Sequence, residues 1–296
     1  MLEFRDIDIT DKERICSALR ASDFRGCEYS FANNMAWRRL AGSKVAFYKD
    51  FYLCCAFETD DGAPHFILPA GSGDYADVIG KMKRFSSSLG KPLIISGVTD
   101  AALPMINELF GGEFTAEADR GSSDYIYNTS DLIDLPGRKY HAKRNHLARF
   151  SETGYTFSLM TENDLDECLI FAVQNYNSKG DADSRSFVAE QFAINTFFSN
   201  FFELGLVGGV IRIGGKIAAI TIGEKLNSDT FCTHIEKADT SFNGIYAAIN
   251  NCFARSAAAG LKYINREEDL DIEGLRKSKL SYHPAFLLTK YTLTFR

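Results

Sequence analysis

The stretch Leu206-Val207-Gly208-Gly209-Val210-Ile211-Arg212-Ile213-Gly214-Gly215-Lys216-Ile217-Ala218-Ala219-Ile220-Thr221-Ile222-Gly223 decides the fold. Two apolar, β-branched runs flank Gly214-Gly215, and paired glycines between such runs signal a hairpin. Strands are predicted at Leu206–Ile213 and Ile217–Leu226, with a third at Thr230–Lys237. A helix follows over about Asn243–Ala259, where Ala248, Ala254, Ala257, Ala258 and Ala259 favour that state. Gly260 suits its C-terminal cap. Strand Tyr263–Arg266, a helix over about Ile272–Ser281 and strand Phe286–Phe295 close the unit.

The first half carries a fainter copy of this order. Lys44–Phe57 reads as two strands or one bent strand, and Asp60-Asp61-Gly62 is a turn signal. Strand His65–Pro69, the turn Gly71-Ser72-Gly73, helix Tyr75–Leu89, strand Pro92–Ser96, helix Ala101–Phe110 and strand Asp124–Asn128 follow. Between the halves lie Pro136-Gly137, a basic amphipathic helix Arg138–Thr153, and helices Asp164–Ser178 and Phe187–Glu203 around a polar break at Asp181–Ser186. Three strands, helix, strand, helix, strand resembles the Gcn5-related acetyltransferase (GNAT) fold. The expected class is therefore α/β, with tandem GNAT units, each a mixed central sheet flanked by helices. Residues 1–135 form a non-catalytic N-terminal unit in this reading, and residues 136–296 carry the active site.

Composition narrows the function. A net charge of -6 counts against nucleic-acid binding over the whole surface, because phosphate contacts draw on Lys and Arg. A local patch, Arg138, Lys139, Lys143, Arg144 and Arg149, escapes that exclusion. The cysteines are scattered without a C-x-x-C pair, which reads as reduced thiols of a cytosolic protein. The histidines have no ligand spacing among themselves, so no metal site is expected. The N-terminus lacks a basic start followed by an apolar run, and no stretch approaches the roughly 18 apolar residues of a membrane span. The expected location is cytoplasmic, with a peripheral place at the membrane compatible.

A block of acids, Glu267, Glu268, Asp269, Asp271 and Glu273, meets a block of bases in Gly274-Leu275-Arg276-Lys277-Ser278-Lys279, followed by Tyr282-His283-Pro284-Ala285-Phe286. This order, after a strand ending in Asn265, resembles the catalytic domain of phosphatidylglycerol lysyltransferases. Tyr140-His141-Ala142-Lys143-Arg144-Asn145-His146-Leu147 is similar to the helix that opens that family's second unit. Asn243-Gly244 before a helix is similar to its last strand–helix–strand. Tandem GNAT units joined by a basic helix also mark the related Fem peptidoglycan aminoacyltransferases. Ser281 and Phe286 depart from the family, which more often has Lys and Trp there.

The resemblance implies transfer of an aminoacyl group from aminoacyl-tRNA to an amine or hydroxyl of a small molecule, lipid head group or peptide, without a tightly bound cofactor. The basic patch would grip the tRNA. The alternatives are an acetyl- or acyl-CoA-dependent N-acyltransferase and a non-catalytic binding protein. The turn Lys237–Gly244, with one glycine, Asp239 and bulky Phe242, is a poor pyrophosphate cradle and favours the tRNA donor.

Catalytic candidates are Glu236, His234, Glu267 and Lys279; donor or substrate candidates are Lys143, Arg144, Asn145, Lys237, Asn243, Gly244, Asn265, Arg276 and Tyr282. Carboxylates suit base work or an ammonium, and Arg and Lys suit phosphate or an oxyanion. Arg276 and Lys279 share a helix face at three-residue spacing. Alternation along the strand places Cys232, His234 and Glu236 together. The plainer alternatives are a solvated helix complementing its dipole, a hydrogen-bonded core histidine, and Tyr246 and Tyr282 as packing residues.

Overall fold

Both glycines of the deciding hairpin take left-handed angles, Gly214 at φ 56° and Gly215 at φ 80°. Glycine adopts that pair without a Cβ penalty, and the turn it makes matches the twist of its strands. A computed structural model describes residues 2–177 and 185–296. The polar break expected at Asp181–Ser186 falls largely outside the described residues.

The first half contains helices α1 (Lys12–Ser22) and α2 (Phe31–Trp37), strands β1 (Ser43–Tyr48), β2 (Phe51–Ala56), β3 (His65–Ile67) and β4 (Ala70–Gly71), then α3 (Tyr75–Ser88), β5 (Ile94–Thr99), α4 (Leu103–Phe110) and β6 (Phe114–Asn128). Next come α5 (Thr129–Asp134), a 3-10 turn at Arg138–Tyr140, α6 (His141–Ser151), β7 (Thr156–Leu159), α7 (Leu165–Asn177), α8 (Arg185–Ser199) and α9 (Phe201–Leu204). The remainder is β8 (Val207–Ile213), β9 (Lys216–Lys225), β10 (Thr230–Ala238), α10 (Ile245–Ala257), β11 (Tyr263–Asn265), α11 (Glu273–Leu280) and β12 (Phe286–Phe295). The expected order stands in both halves. The pattern did not mark α1, α2, β4, α5 and β7, the last a short strand whose residues are mostly exposed.

Two compact units emerge. Unit 1 comprises Met1–Asp124, Glu268–Glu273 and Leu287–Arg296; unit 2 comprises Tyr125–Glu267 and Gly274–Phe286. Within unit 1 the strand order is β1-β2-β3-β5-β12-β6, with β4 also on β2. Within unit 2 it is β6-β11-β10-β9-β8-β7. Each sheet is mixed: β3 runs parallel to β5 and β10 parallel to β11, among antiparallel neighbours. The units differ from the halves 1–135 and 136–296 at their closing strands. β12 pairs with β5, and the end of β6 pairs with β11. Alternation identifies a strand but not the sheet it joins, so chain order alone misses this exchange.

In unit 2, α10 buries Ile245, Ala248 and Ile249 against Ala218, Ala219 and Ala238 of the sheet, with Phe150 of α6 alongside. Alanines on both surfaces let helix and sheet approach closely. That contact fixes where the N-terminus of α10 points.

Candidate active site

The N-terminus of α10 opens into a cavity of about 490 Å³ in unit 2. Its walls include Lys143 and His146 of α6, Asn243, Gly244 and Tyr246 around the helix start, and Ser278 and Tyr282. Gly244 is required there twice over. Its φ is 93°, and a Cβ would come within 2.6 Å of the His146 carbonyl oxygen. The Asn243-Gly244 motif therefore lets α6 press against the turn, which carries Lys143 to the cavity.

Lys143 Nζ donates to Ser281 Oγ at 2.8 Å and lies 3.6 Å from the centre of the Tyr282 ring. Burial, reinforced by the Arg266 cation and opposed by Glu236, brings its pKa down to about 8. Arg266 sits 4.8 Å from the same ring and donates to the Tyr282 hydroxyl. Burial pushes the Tyr282 phenol well up, so it stays a neutral donor at ordinary pH. Arg266 also pairs with Glu236 at 2.9 Å, each side chain 11% exposed. Burial opposes the Arg266 charge, but Glu236 outweighs it and the pKa is raised. Arg266 Nη1 and Glu236 Oε2 are buried and lack a hydrogen-bond partner among the described residues.

His234 and Glu236 do not share a face. The β10 register shifts between Thr233 and Ile235, a bulge centred on His234. One extra residue reverses the alternation beyond it. The His234 ring stacks on Phe197 of α8, 5.5 Å away at 12°, and Lys237 reaches Glu190 of α8 at 2.6 Å. Glu236 is left with Arg266. His234 Nδ1 meets Glu267 Oε1 at 2.9 Å and Nε2 meets Glu224 Oε1 at 3.1 Å, with Cys232 Sγ 3.7 Å from Nδ1. Burial disfavours its charge, yet Cys232 and the two carboxylates raise its pKa well above the ordinary value. With both nitrogens engaged, His234 has no lone pair free for a substrate proton in this arrangement.

The other expected residues divide. Lys143, Asn243, Gly244 and Tyr282 come together at the cavity. Lys279 is buried, donating to the Arg266 carbonyl at 2.7 Å and facing the Tyr125 ring, so it holds the chain that positions Arg266. Arg276 lies half-buried on α11. Asn265 is buried and its Oδ1 accepts the Glu267 N–H at 2.7 Å, fixing a turn in which Glu267 has φ 57°. Arg144 donates to the Leu135 and Gly137 carbonyls, and Asn145 meets His141 Nε2 at 3.2 Å. Of the basic patch, Arg138, Lys139, Arg144 and Arg149 are exposed and Lys143 turns into the cavity. Arg266, His146 and Ser278 escaped the sequence reading. The available signal for Arg266 was a cation directly after Asn265, where a parallel strand ends.

The turn before α10 bonds three of its own donors internally. Ser241 N bonds Asp239 Oδ1 at 2.9 Å, Phe242 N bonds Asp239 O at 3.3 Å and Ile245 N bonds Phe242 O at 3.3 Å. Phe242 and Tyr246 line the cavity and also pack on the core beneath it. Together the groups offer one amine that titrates near pH 8, one neutral phenol fed by a buried guanidinium, and a helix N-terminus suited to an anion.

The model of the family described as "Phosphatidylglycerol lysyltransferase, C-terminal" matches residues 19–294. No curated protein matches the chain. A crystal structure of a conserved protein of unknown function from Bacteroides thetaiotaomicron is 36% identical, with 100% of both chains covered and a TM-score of 0.94. L-PGS from Bacillus licheniformis is 15% identical over 96% of this chain and 92% of its own, with a TM-score of 0.68. An acetyltransferase of the GNAT family from Colwellia psychrerythraea is 11% identical over 100% of both chains, with a TM-score of 0.53. The GNAT fold expected from the element order is thus the fold of these neighbours. Among the described residues, no helix is long and apolar enough to cross a membrane.

Proposed function

Because the chain belongs to the phosphatidylglycerol lysyltransferase C-terminal family, transferases of GNAT-like type, we propose that it moves an aminoacyl group from aminoacyl-tRNA to an amine or hydroxyl acceptor, such as a lipid head group or peptide. The reaction takes place in the cavity between Lys143, Tyr282 and the N-terminus of α10. The observation that carries this reading is the Lys143 amine, with its pKa of about 8, stacked on a phenol whose oxygen already accepts from Arg266.

The acceptor nitrogen or oxygen attacks the ester carbonyl carbon, and the bond to the ribose oxygen breaks. Neutral Lys143 takes the proton of the attacking group and returns one to the departing ribose oxygen. Tyr282 donates its O–H to the carbonyl oxygen as negative charge develops, and Arg266 strengthens that donor. The α10 N-terminus receives the terminal phosphate of the donor. Glu236 and Lys279 then act as positioning residues for Arg266. The scheme calls for no tightly bound cofactor. With the N–H groups of Ser241, Phe242 and Ile245 bonded within the turn, the helix start suits the single phosphate of this donor better than the two of a CoA pyrophosphate.

The test supplies radiolabelled aminoacyl-tRNAs or acetyl-CoA to the protein with phosphatidylglycerol vesicles, a peptide amine or hydroxylamine as acceptors. Transfer from charged tRNA that falls by about 10²–10⁴-fold in Lys143→Met supports the reading, since that is the usual worth of a general base. Transfer from acetyl-CoA alone overturns the donor. No transfer from either, with tight binding of one, moves the protein to the non-catalytic class.

A further inference from the structure

Lys143 meets the consecutive residues Ser281 and Tyr282, and each engages a different side of its amine. Nζ stands 2.8 Å from Ser281 Oγ and 3.6 Å from the centre of the Tyr282 ring. The Ser281 hydroxyl has a single proton, which it donates to the Ser278 carbonyl oxygen at 2.6 Å. Toward Lys143 its oxygen is therefore an acceptor. The negative face of the Tyr282 ring likewise takes an N–H and repels a lone pair. A neutral amine has two N–H groups and one lone pair. Cε, the Ser281 oxygen and the ring face take three of the tetrahedral directions at Nζ. The fourth is the lone pair's, and it opens on the cavity of which Lys143 is a wall.

Backbone contacts hold both partners in place. The Ser281 N–H bonds the Lys277 and Ser278 carbonyl oxygens at 3.1 and 3.2 Å, which closes the C-terminus of α11 over the serine. Tyr140, just before α6, donates its hydroxyl to the Tyr282 carbonyl at 2.8 Å. Its ring meets that of His283 edge-on, with centroids 5.2 Å apart, and His283 Nε2 donates to the Lys139 carbonyl at 3.1 Å. Ser281 and Tyr282 are thus tied to the start of the helix that carries Lys143, all within unit 2. The amine and its two acceptors move as one body.

On the reading of Lys143 as the base, on which this rests, we propose that Ser281 is a positioning residue for the transfer. By taking one N–H of Lys143 while the Ser278 carbonyl holds its own proton, it aims the amine's lone pair at the attacking group of the acceptor. A hydroxyl free to turn would donate to the amine and occupy that lone pair. The charges that act on Nζ are those of Arg266 and Glu236. Tyr282, Tyr246 of α10 and His146 of α6 are the other titratable groups at the cavity wall. A change at Ser281 alters none of them, so a shift at Lys143 reports the hydroxyl. An oxygen that accepts from the amine favours its charged form, and removing it lowers the pKa from about 8.

The test compares the full-length parent with Ser281→Ala and Ser281→Thr. Labelling by acetic anhydride across pH, read at Lys143 by peptide mass spectrometry, titrates the amine without requiring transfer. The expected midpoint is about 8 in the parent, lower in Ser281→Ala and back near the parent value in Ser281→Thr, which keeps a hydroxyl. Transfer from charged tRNA on the alkaline plateau should lose about 10- to 100-fold in kcat in Ser281→Ala, the scale of a base held about 1 Å out of place. KM should stay unchanged, and Ser281→Thr should recover most of the loss. An unchanged Lys143 midpoint in Ser281→Ala overturns the proposal, as does a kcat equal to the parent's. If the parent transfers nothing, the proposed function fails, and the labelling midpoint alone decides whether Ser281 holds the amine.

Discussion

Lys143 and Arg266 approach the same Tyr282 ring, 3.6 Å and 4.8 Å from its centre, so the Arg266 charge adds to burial in disfavouring a charged Lys143. Lys143 is the one that yields, with a pKa of about 8. Since the proposed base is the neutral amine, transfer to a hydroxyl acceptor should rise with pH up to about 8 and level off above it. The rising limb should approach tenfold per pH unit and disappear in Lys143→Met. A flat profile in the parent protein removes Lys143 as the base. The measurement is initial transfer rate against pH, corrected for spontaneous ester hydrolysis.

The Glu236–Arg266 pair is almost fully buried, so breaking it from one side strands a charge. Arg266→Met should cost about 3–5 kcal/mol of stability, and Arg266→Met with Glu236→Gln should recover part of that. Urea unfolding of the two single variants and the double variant measures the coupling. Additive losses count against a tightly linked pair.

Gly244→Ala places a methyl group against the His146 carbonyl and forces a left-handed angle on a residue with a side chain. A cost of about 1–3 kcal/mol is expected from the backbone alone. Because α6 must retreat, Lys143 moves with it, and transfer should fall further than stability does. Equal activity at a temperature where both proteins stay folded argues against the role given to this contact.

Much of this was legible in the chain. Paired glycines between β-branched runs reported the hairpin, and alanines at helical spacing reported α10, because both signals depend on local backbone preference. The cavity residues Lys143, Asn243, Gly244 and Tyr282 were legible through resemblance. Other features depend on partners far along the chain. Arg266 acquires meaning from Glu236 on the neighbouring strand and from Tyr282 beyond α11. The bulge at His234 leaves no mark on strict alternation, so His234 and Glu236 were read as neighbours. Lys279 looked like a free cation beside Arg276, but its ammonium is spent on the Arg266 carbonyl.

The basic helix gives the last prediction. Lys143 turns into the cavity and Arg144 is engaged with the Leu135 and Gly137 carbonyls, so neither is the best probe of a tRNA surface. Arg138 and Arg149 are exposed. Reversing both to Glu should weaken tRNA binding and lower the slope of log K against log salt by about one to two, as expected for lost phosphate contacts. Arg144→Ala, by contrast, should lower the melting temperature through its two lost carbonyl bonds and leave that slope unchanged. Filter binding at several salt concentrations separates the two effects. A slope that falls with Arg144 and not with Arg138 and Arg149 would place the tRNA elsewhere on unit 2.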